Sequence, residues 1–168
     1  MKYIKNIFLL AFVYLTLQGC GIYSFTGIAL HPDDKTITIK YFPNRAELVN
    51  ANLSQKFTEA LKNRFITQTN LQFVPINGDL QFEGEIVGYE TKPVSVTEQG
   101  TANNNRLTIK VRVKYESVNN AKFNFDNTFS RYADYESTKM LTDVEDALVE
   151  QIVEELIDDI FNKSVVNW

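Results

Sequence analysis

The sequence predicts an α+β fold: a single, mostly antiparallel sheet of about four strands with two helices packed on one of its faces. Three observations carry that prediction. Residues 106–115 alternate without a break, with Leu107, Ile109, Val111, Val113 and Tyr115 on one side and Arg106, Thr108, Lys110, Arg112 and Lys114 on the other. That is the period of a strand buried on one face. Leu53, Phe57, Ala60, Leu61 and Phe65 recur at helical spacing, with Arg64 as a polar member whose long stem can lie along apolar neighbours. Leu148, Val149, Ile152, Val153, Leu156 and Ile160 form a second helical stripe. One apolar sheet face and two apolar stripes are buried together when both helices stack on the same side.

Before the domain, residues 1–19 read as a cleaved leader. Lys2 and Lys5 precede an apolar run from Ile7 to Leu17. At about eleven residues it falls short of the roughly 20 needed for a membrane-spanning helix, and it suits the apolar region of a secretory signal peptide. Leu17-Gln18-Gly19-Cys20 then resembles the bacterial lipobox, in which the bond before the Cys is cut and its thiol is acylated. Gln18 departs from the small or aliphatic residue usual at that place. Cys20 is the only cysteine in the chain, so no internal disulfide can form, and an exported thiol left free would be open to oxidation. An ordinary leader with a chance cysteine is the alternative. Lipidation would anchor the protein durably, since each buried CH2 contributes about 0.8 kcal/mol. Gly21 and Ile22 follow Cys20 where an Asp would signal retention, so the expected address is the outer membrane, on its periplasmic side.

Residues 20–34 are the expected lipidated lead-in and residues 35–168 a single domain. Thr36 to Tyr41 alternates as a half-buried strand and ends at Pro43 and Asn44. Asn50 or Asn52 can cap the first helix, which Thr67 to Asn70 closes. A short strand, Leu71 to Val74, stops at Pro75 and the Asn77-Gly78 turn. Asp79 to Lys92 is a strand with Leu80, Phe82 and Ile86 on one face, and Gly84 and Gly88 mark a bulge or bend. Residues 93–105 read as a polar loop, followed by the 106–115 strand. Phe123 to Tyr132 forms the last strand, with Phe123, Phe125 and Phe129 on one face. A two-residue hairpin at Asn119-Asn120 would set core-facing Tyr115 against Asn124, so a longer connection is expected there. Thr142 and Glu145 have the spacing of a capping box at the start of the second helix.

Composition narrows the function. A net charge of −4 argues against nucleic acid as a partner, which calls for a basic excess. No catalytic constellation, metal site or cofactor motif is expected. His31 is the only histidine, sits beside Pro32 in the lead-in, and has no cysteine to work with once Cys20 is lipidated. Glu150 and Glu154, one turn apart, read as a solvated acidic face together with Asp146, Glu155, Asp158 and Asp159. The last two lie near the helix C-terminus, where the dipole disfavours negative charge, and so hint at a basic partner. Arg106, Lys110 and Arg112 are the candidate contacts for an anionic lipid or a partner. Glu85 opposite Arg112 and Glu83 opposite Lys114 would satisfy most of that row internally; Arg106 lacks so obvious a partner. Trp168 closes the chain as a residue that packs or touches a partner.

Several stretches resemble the LptE family of lipopolysaccharide-assembly lipoproteins. They are the opening Cys20-Gly21-Ile22-Tyr23-Ser24-Phe25-Thr26-Gly27, the segment Tyr41 to Leu61, DLQFEGEI at Asp79 to Ile86 with Gly88-Tyr89, FSRYADYES at Phe129 to Ser137, and Asp159 to Trp168. The likeness spans nearly all of the mature chain. It implies a small, non-enzymatic α+β lipoprotein at the outer membrane that helps the barrel protein LptD assemble, sits as a plug in its lumen, and contacts lipopolysaccharide. Of the family's functional positions, only the lipidated Cys20 carries over by motif. A periplasmic lipid-binding or lipid-shuttling lipoprotein is the second reading, with Arg106 and the 93–105 loop near the ligand.

Overall fold

The computed structural model describes residues 30–48, 50–96 and 102–165. Its elements run β1 (Thr36–Ile39), α1 (Leu53–Gln68), β2 (Gln72–Phe73), β3 (Leu80–Val96), β4 (Ala102–Ser117), a single 3-10 turn at Ala121–Phe123, β5 (Phe125–Glu136) and α2 (Leu141–Val165). The strands form one sheet in the order β2-β1-β3-β4-β5. The fold is α+β as the sequence predicts, with five strands instead of about four, and the sheet is mixed. β1 runs parallel to both β2 and β3, while β3, β4 and β5 are antiparallel. The parallel pairs follow from the connections. Helix α1 carries the chain back along the sheet before β2 begins, so β2 repeats the direction of β1. The short return through Pro75 to Asp79 then starts β3 from the same end.

That return is fixed by polar groups. The Asp79 carboxylate accepts the backbone N–H groups of Lys35 and Thr36, both at 2.9 Å, and the Thr36 hydroxyl at 2.7 Å. These bonds, the Lys35 N–H first among them, hold its pKa below the ordinary carboxylate value. The Thr38 hydroxyl donates to the Val74 carbonyl and accepts the Gly78 N–H, so the loop covers β1 and leaves Thr38 only 2 % exposed. Asn77 takes a positive φ of 54° to make the turn.

β3 and β4 form the longest pairing. Leu80, Phe82 and Ile86 of β3 share a face with Leu107, Ile109, Val111, Val113 and Tyr115 of β4, all buried, and both helices cover that face. The register places Glu83 opposite Lys114 and Glu85 opposite Arg112, as the alternation predicts. The bulge expected near the two glycines lies between Ile86 and Gly88. It shifts the parity of β3, so that Tyr89, which would otherwise face outward, pairs with Ile109 on the core side. The expected polar loop at 93–105 is mostly strand, because β3 and β4 continue pairing to Val96 and Ala102. The 118–124 connection is longer than a two-residue hairpin, as predicted. Asn124 Oδ1 accepts the Ser117 N–H at 2.8 Å, and Tyr115 faces Phe125 across the strands.

The capping box of α2 is absent. The helix begins at Leu141, which leaves Thr142 inside the first turn, and the Glu145 carboxylate is engaged by Tyr89 and Asn50 instead. Asn52 stands at the N-cap of α1 with no side-chain cap bond, while Asn50 Oδ1 accepts its backbone N–H.

Gly84 lets two strands and a ring approach closely. A Cβ there would lie 2.0 Å from the Arg112 carbonyl oxygen and 2.7 Å from the Phe42 ring. Gly84→Ala is therefore expected to destabilise the domain by about 1–3 kcal/mol through overpacking, read as a lower urea midpoint. Gly88→Ala meets only the Lys110 side chain at 3.1 Å and should cost visibly less.

Candidate functional site

The sheet face turned away from the helices carries the row that the sequence singles out. Along β4 this face presents Arg106, Lys110, Arg112 and Lys114, and the strands on either side present carboxylates opposite them. Arg106 forms a two-point contact with Asp134 of β5, Nε at 2.7 Å and Nη2 at 2.9 Å, with its guanidinium 3.5 Å over the Tyr132 ring. The expectation that Arg106 lacks a partner is thus overturned. β5 lies in register with β4 over its whole length, which sets Asp134 directly across from Arg106.

The other cations are engaged in the same way. Arg112 grips Asp126 through Nε at 2.9 Å and Nη2 at 2.7 Å. Glu85, opposite it on β3, adds only a longer-range attraction. Lys110 reaches Glu90 at 2.9 Å, which also holds Lys92 at 2.6 Å. Lys114 meets Glu83 at 3.0 Å and Glu116 at 3.1 Å, and Lys40 meets Glu83 at 2.7 Å. The cationic row is therefore one line of an alternating lattice that is close to neutral. Hydrogen bonds from Lys92 and Lys110 pull the Glu90 carboxyl down to about 2. Lys40 and Lys114 lower Glu83, Arg112 lowers Asp126 and Arg106 lowers Asp134.

On the helix side, the acids of α2 are also largely spoken for. Asp159 accepts Arg131 of β5 through both oxygens at 2.6 Å, Asp158 lies 2.6 Å from Arg64 of α1, and Asp146 lies 2.7 Å from Lys56. The charge at the helix C-terminus that hinted at a basic partner finds its arginines within the chain. Glu150 and Glu154 border a shallow groove of about 680 Å³ between the helices. Its apolar floor, Val149, Val153 and Ile157, is already at most 5 % exposed. Among the described residues no three His, Cys, Asp or Glu side chains converge on a point that could hold a metal ion. His31 accepts the Asp33 N–H at 3.3 Å in the lead-in, and Asp34 beside it accepts the Asn119 side chain.

One polar node is invisible in the sequence. The Tyr89 hydroxyl and the Asn50 side-chain amide, the latter at 2.9 Å, both donate to Glu145 Oε1. This ties the sheet, the entry to α1 and the N-terminal part of α2. Burial and then the hydrogen bond to Glu145 push the Tyr89 hydroxyl well above its ordinary pKa. No local signal reveals it, because Asn50 and Glu145 are 95 residues apart and Tyr89 faces inward only through the bulge. Cys20, residues 97–101 of the expected loop and Trp168 lie outside the described residues.

Set beside known proteins, residues 35–164 match the sequence model of the family described as LptE, lipopolysaccharide-assembly. A search of the curated proteins finds no match. Among solved structures, the fold is similar to an uncharacterized lipoprotein B of Nitrosomonas europaea, with 15 % identity, 85 % of this chain and 88 % of that one covered, and a TM-score of 0.53. It is similar to a hypothetical protein of Chlamydia trachomatis at 12 % identity, with 80 % and 99 % covered and a TM-score of 0.54. The rare lipoprotein B of Shewanella oneidensis aligns at 10 % identity, with 77 % and 90 % covered and a TM-score of 0.50. At such identities the likeness is one of fold.

The lattice has a pH signature. Glu83, Glu90, Asp126 and Asp134 titrate lower in the folded chain than unfolded, so their stabilisation is present above the unfolded values of about 4 and is lost as pH falls through the folded ones. Thermal melts should hold between pH 7 and about 5, then decline toward pH 2, where Glu90 also protonates. Exposed pairs of this kind contribute little, so Arg106→Ala should lower the melting midpoint only slightly, with the difference shrinking in high salt.

Proposed function

Since the chain belongs to the LptE lipopolysaccharide-assembly family, we propose that it works as a lipid-anchored plug and assembly partner of the outer-membrane barrel LptD. The family match over residues 35–164 carries this reading. The proposed leader 1–19 would export the chain, and acylation of Cys20 would tether the 35–168 domain on the periplasmic side of the outer membrane or in the barrel lumen. In this role the domain binds and does no chemistry. No described helix is long and apolar enough to cross a membrane. A sheet face covered by paired charges also suits the polar interior of a barrel, where side chains meet water and other polar groups.

Direct contact with lipopolysaccharide through Arg106, Lys110 and Arg112 is the narrower part of the proposal. A lipid phosphate would have to take each cation from a carboxylate already within 3.0 Å. Tyr132, half exposed and stacked on Arg106, gives that end of the row a mixed aromatic and cationic surface.

Purification of the acylated protein from membranes under mild detergent should bring a large barrel protein with it; recovery without one would remove the plug reading. Cys20→Ser should release the chain from the membrane fraction and cut recovery of the barrel severalfold, with mass spectrometry of the wild type showing acyl chains on Cys20. Arg106→Glu should weaken binding to anionic glycolipid vesicles if the row touches lipid, and unchanged binding would discard that contact.

A further inference from the structure

The two edges of the sheet are built differently. At one edge, β2 is two residues long and is followed by Pro75 and the positive-φ Asn77, so it offers little backbone for a neighbour. At the other edge, β5 presents twelve residues. It pairs with β4 from Phe125 to Glu136 without a register shift and contains no Pro, Gly or Lys. Edges of that length are ordinarily blunted by lysine, proline, a bulge or a covering segment. The charges β5 does carry are already engaged, Asp126 by Arg112, Asp134 by Arg106 and Arg131 by Asp159. Toward the helix side, Phe125 and Phe129 remain only half-buried at the margin, 6.0 Å apart.

We propose that the outer edge of β5, beyond which no strand lies among the described residues, pairs antiparallel with β5 of a second copy of this chain, joining two five-stranded sheets across a two-fold axis. The charge pattern of the strand selects how. With the axis at Phe129, Phe129 meets its twin, Thr128 meets Ser130, Asn127 meets Arg131, Asp126 meets Tyr132 and Phe125 meets Ala133, and no like charges face each other. With the axis at Tyr132, Ser130 meets Asp134, Phe129 meets Tyr135 and Thr128 meets Glu136, again without conflict. The two registers between them fail. An axis at Ser130 sets Asp126 against Asp134, and one at Arg131 sets arginine against arginine and Asp126 against Glu136. Both permitted registers bring aromatic rings together on the helix side, where Phe129 is short of cover, and supply the edge with its missing backbone partners.

Single cysteines test this, placed in the full chain carrying Cys20→Ser so that the introduced thiol is the sole one. Only a residue on the axis lies within disulfide reach of its own twin; a residue one step off the axis faces its twin two positions along the strand, beyond about 7 Å. Mild oxidation should therefore link Phe129→Cys or Tyr132→Cys into dimers and leave Ser130→Cys and Arg131→Cys monomeric. In sedimentation at high micromolar concentration the parent should show a dimer, and Tyr132→Asp should weaken it roughly tenfold while its thermal melt moves little, because the new carboxylate meets its own twin with the axis at Tyr132 and Asp126 with the axis at Phe129. A parent that sediments as a monomer, equal linking at all four positions, or a dimer indifferent to Tyr132→Asp would each overturn the proposal. Pairing of this kind needs no barrel and the experiment contains only this chain, so its failure leaves the plug reading standing.

Discussion

The alternation of β4 is the constraint from which the rest of the domain follows. This strand lies between β3 and β5 and pairs with both over most of its length, so its two rows of side chains decide what each face of the sheet can be. Leu107, Ile109, Val111 and Val113 are fully buried, and the residues between them carry the cations. A slip of one residue would drive Lys110 and Arg112 under the helices and turn Ile109 and Val111 out to water. Burying unpaired cations costs several kcal/mol each, a large share of the 5–15 kcal/mol that typically separates a folded domain from its unfolded chain. The register is therefore not negotiable, and the carboxylates of the flanking strands fall into place beside it.

The helices are held to that face by a path of aromatic rings. Phe161 of α2 touches Phe65 of α1 with centroids 5.1 Å apart, Phe65 touches Phe82 at 4.9 Å, Phe82 touches Tyr115 at 4.8 Å and Tyr115 touches Phe125 at 5.3 Å. Tilted pairs at such spacing add about 0.5–1.5 kcal/mol each beyond the area they bury. The path explains why α1 and α2 share one side of the sheet: Phe65 is the ring both helices and β3 have in common. At the opposite end of the helices the tie is polar, where Tyr89 and Asn50 converge on Glu145. The bulge in β3 connects the two kinds of tie, since without its extra residue Tyr89 would point to solvent and Glu145 would have no sheet partner.

How much of this could be read from the chain depends on how local each cause is. Period-two and helical patterns are local, so the helices, β3, β4 and their mutual register were legible down to Glu83 facing Lys114. Strand direction was less so: whether β1 pairs parallel depends on where α1 delivers the chain, which composition does not state. The partner of Arg106 was missed because Asp134 belongs to a strand that runs four residues past Tyr132, where the apolar period of β5 fades. Thr142 and Glu145 have the spacing of a cap, yet tertiary contacts draw Glu145 away to Asn50 and Tyr89. Short-range grammar loses where a long-range partner offers the better hydrogen bond.

Charge, finally, says what kind of surface this domain can offer. A site that captures anions keeps cations available, held apart from carboxylates or buried beside backbone donors. Here Arg106, Lys110, Arg112 and Lys114 each touch an acid within 3.0 Å, and Arg64 and Arg131 are turned inward onto α2. The carboxylates with no cation beside them among the described residues, such as Glu150 and Glu154, are exposed on the helix side and would repel a phosphate. A domain that settles its charges internally in this way has little long-range field to steer a ligand, and recognition falls to shape, to paired polar faces and to open backbone. Those are the attributes of an element that packs inside or beside another protein. They place selectivity in the shape of the domain and in its open strand edge, and not in any one of its cations.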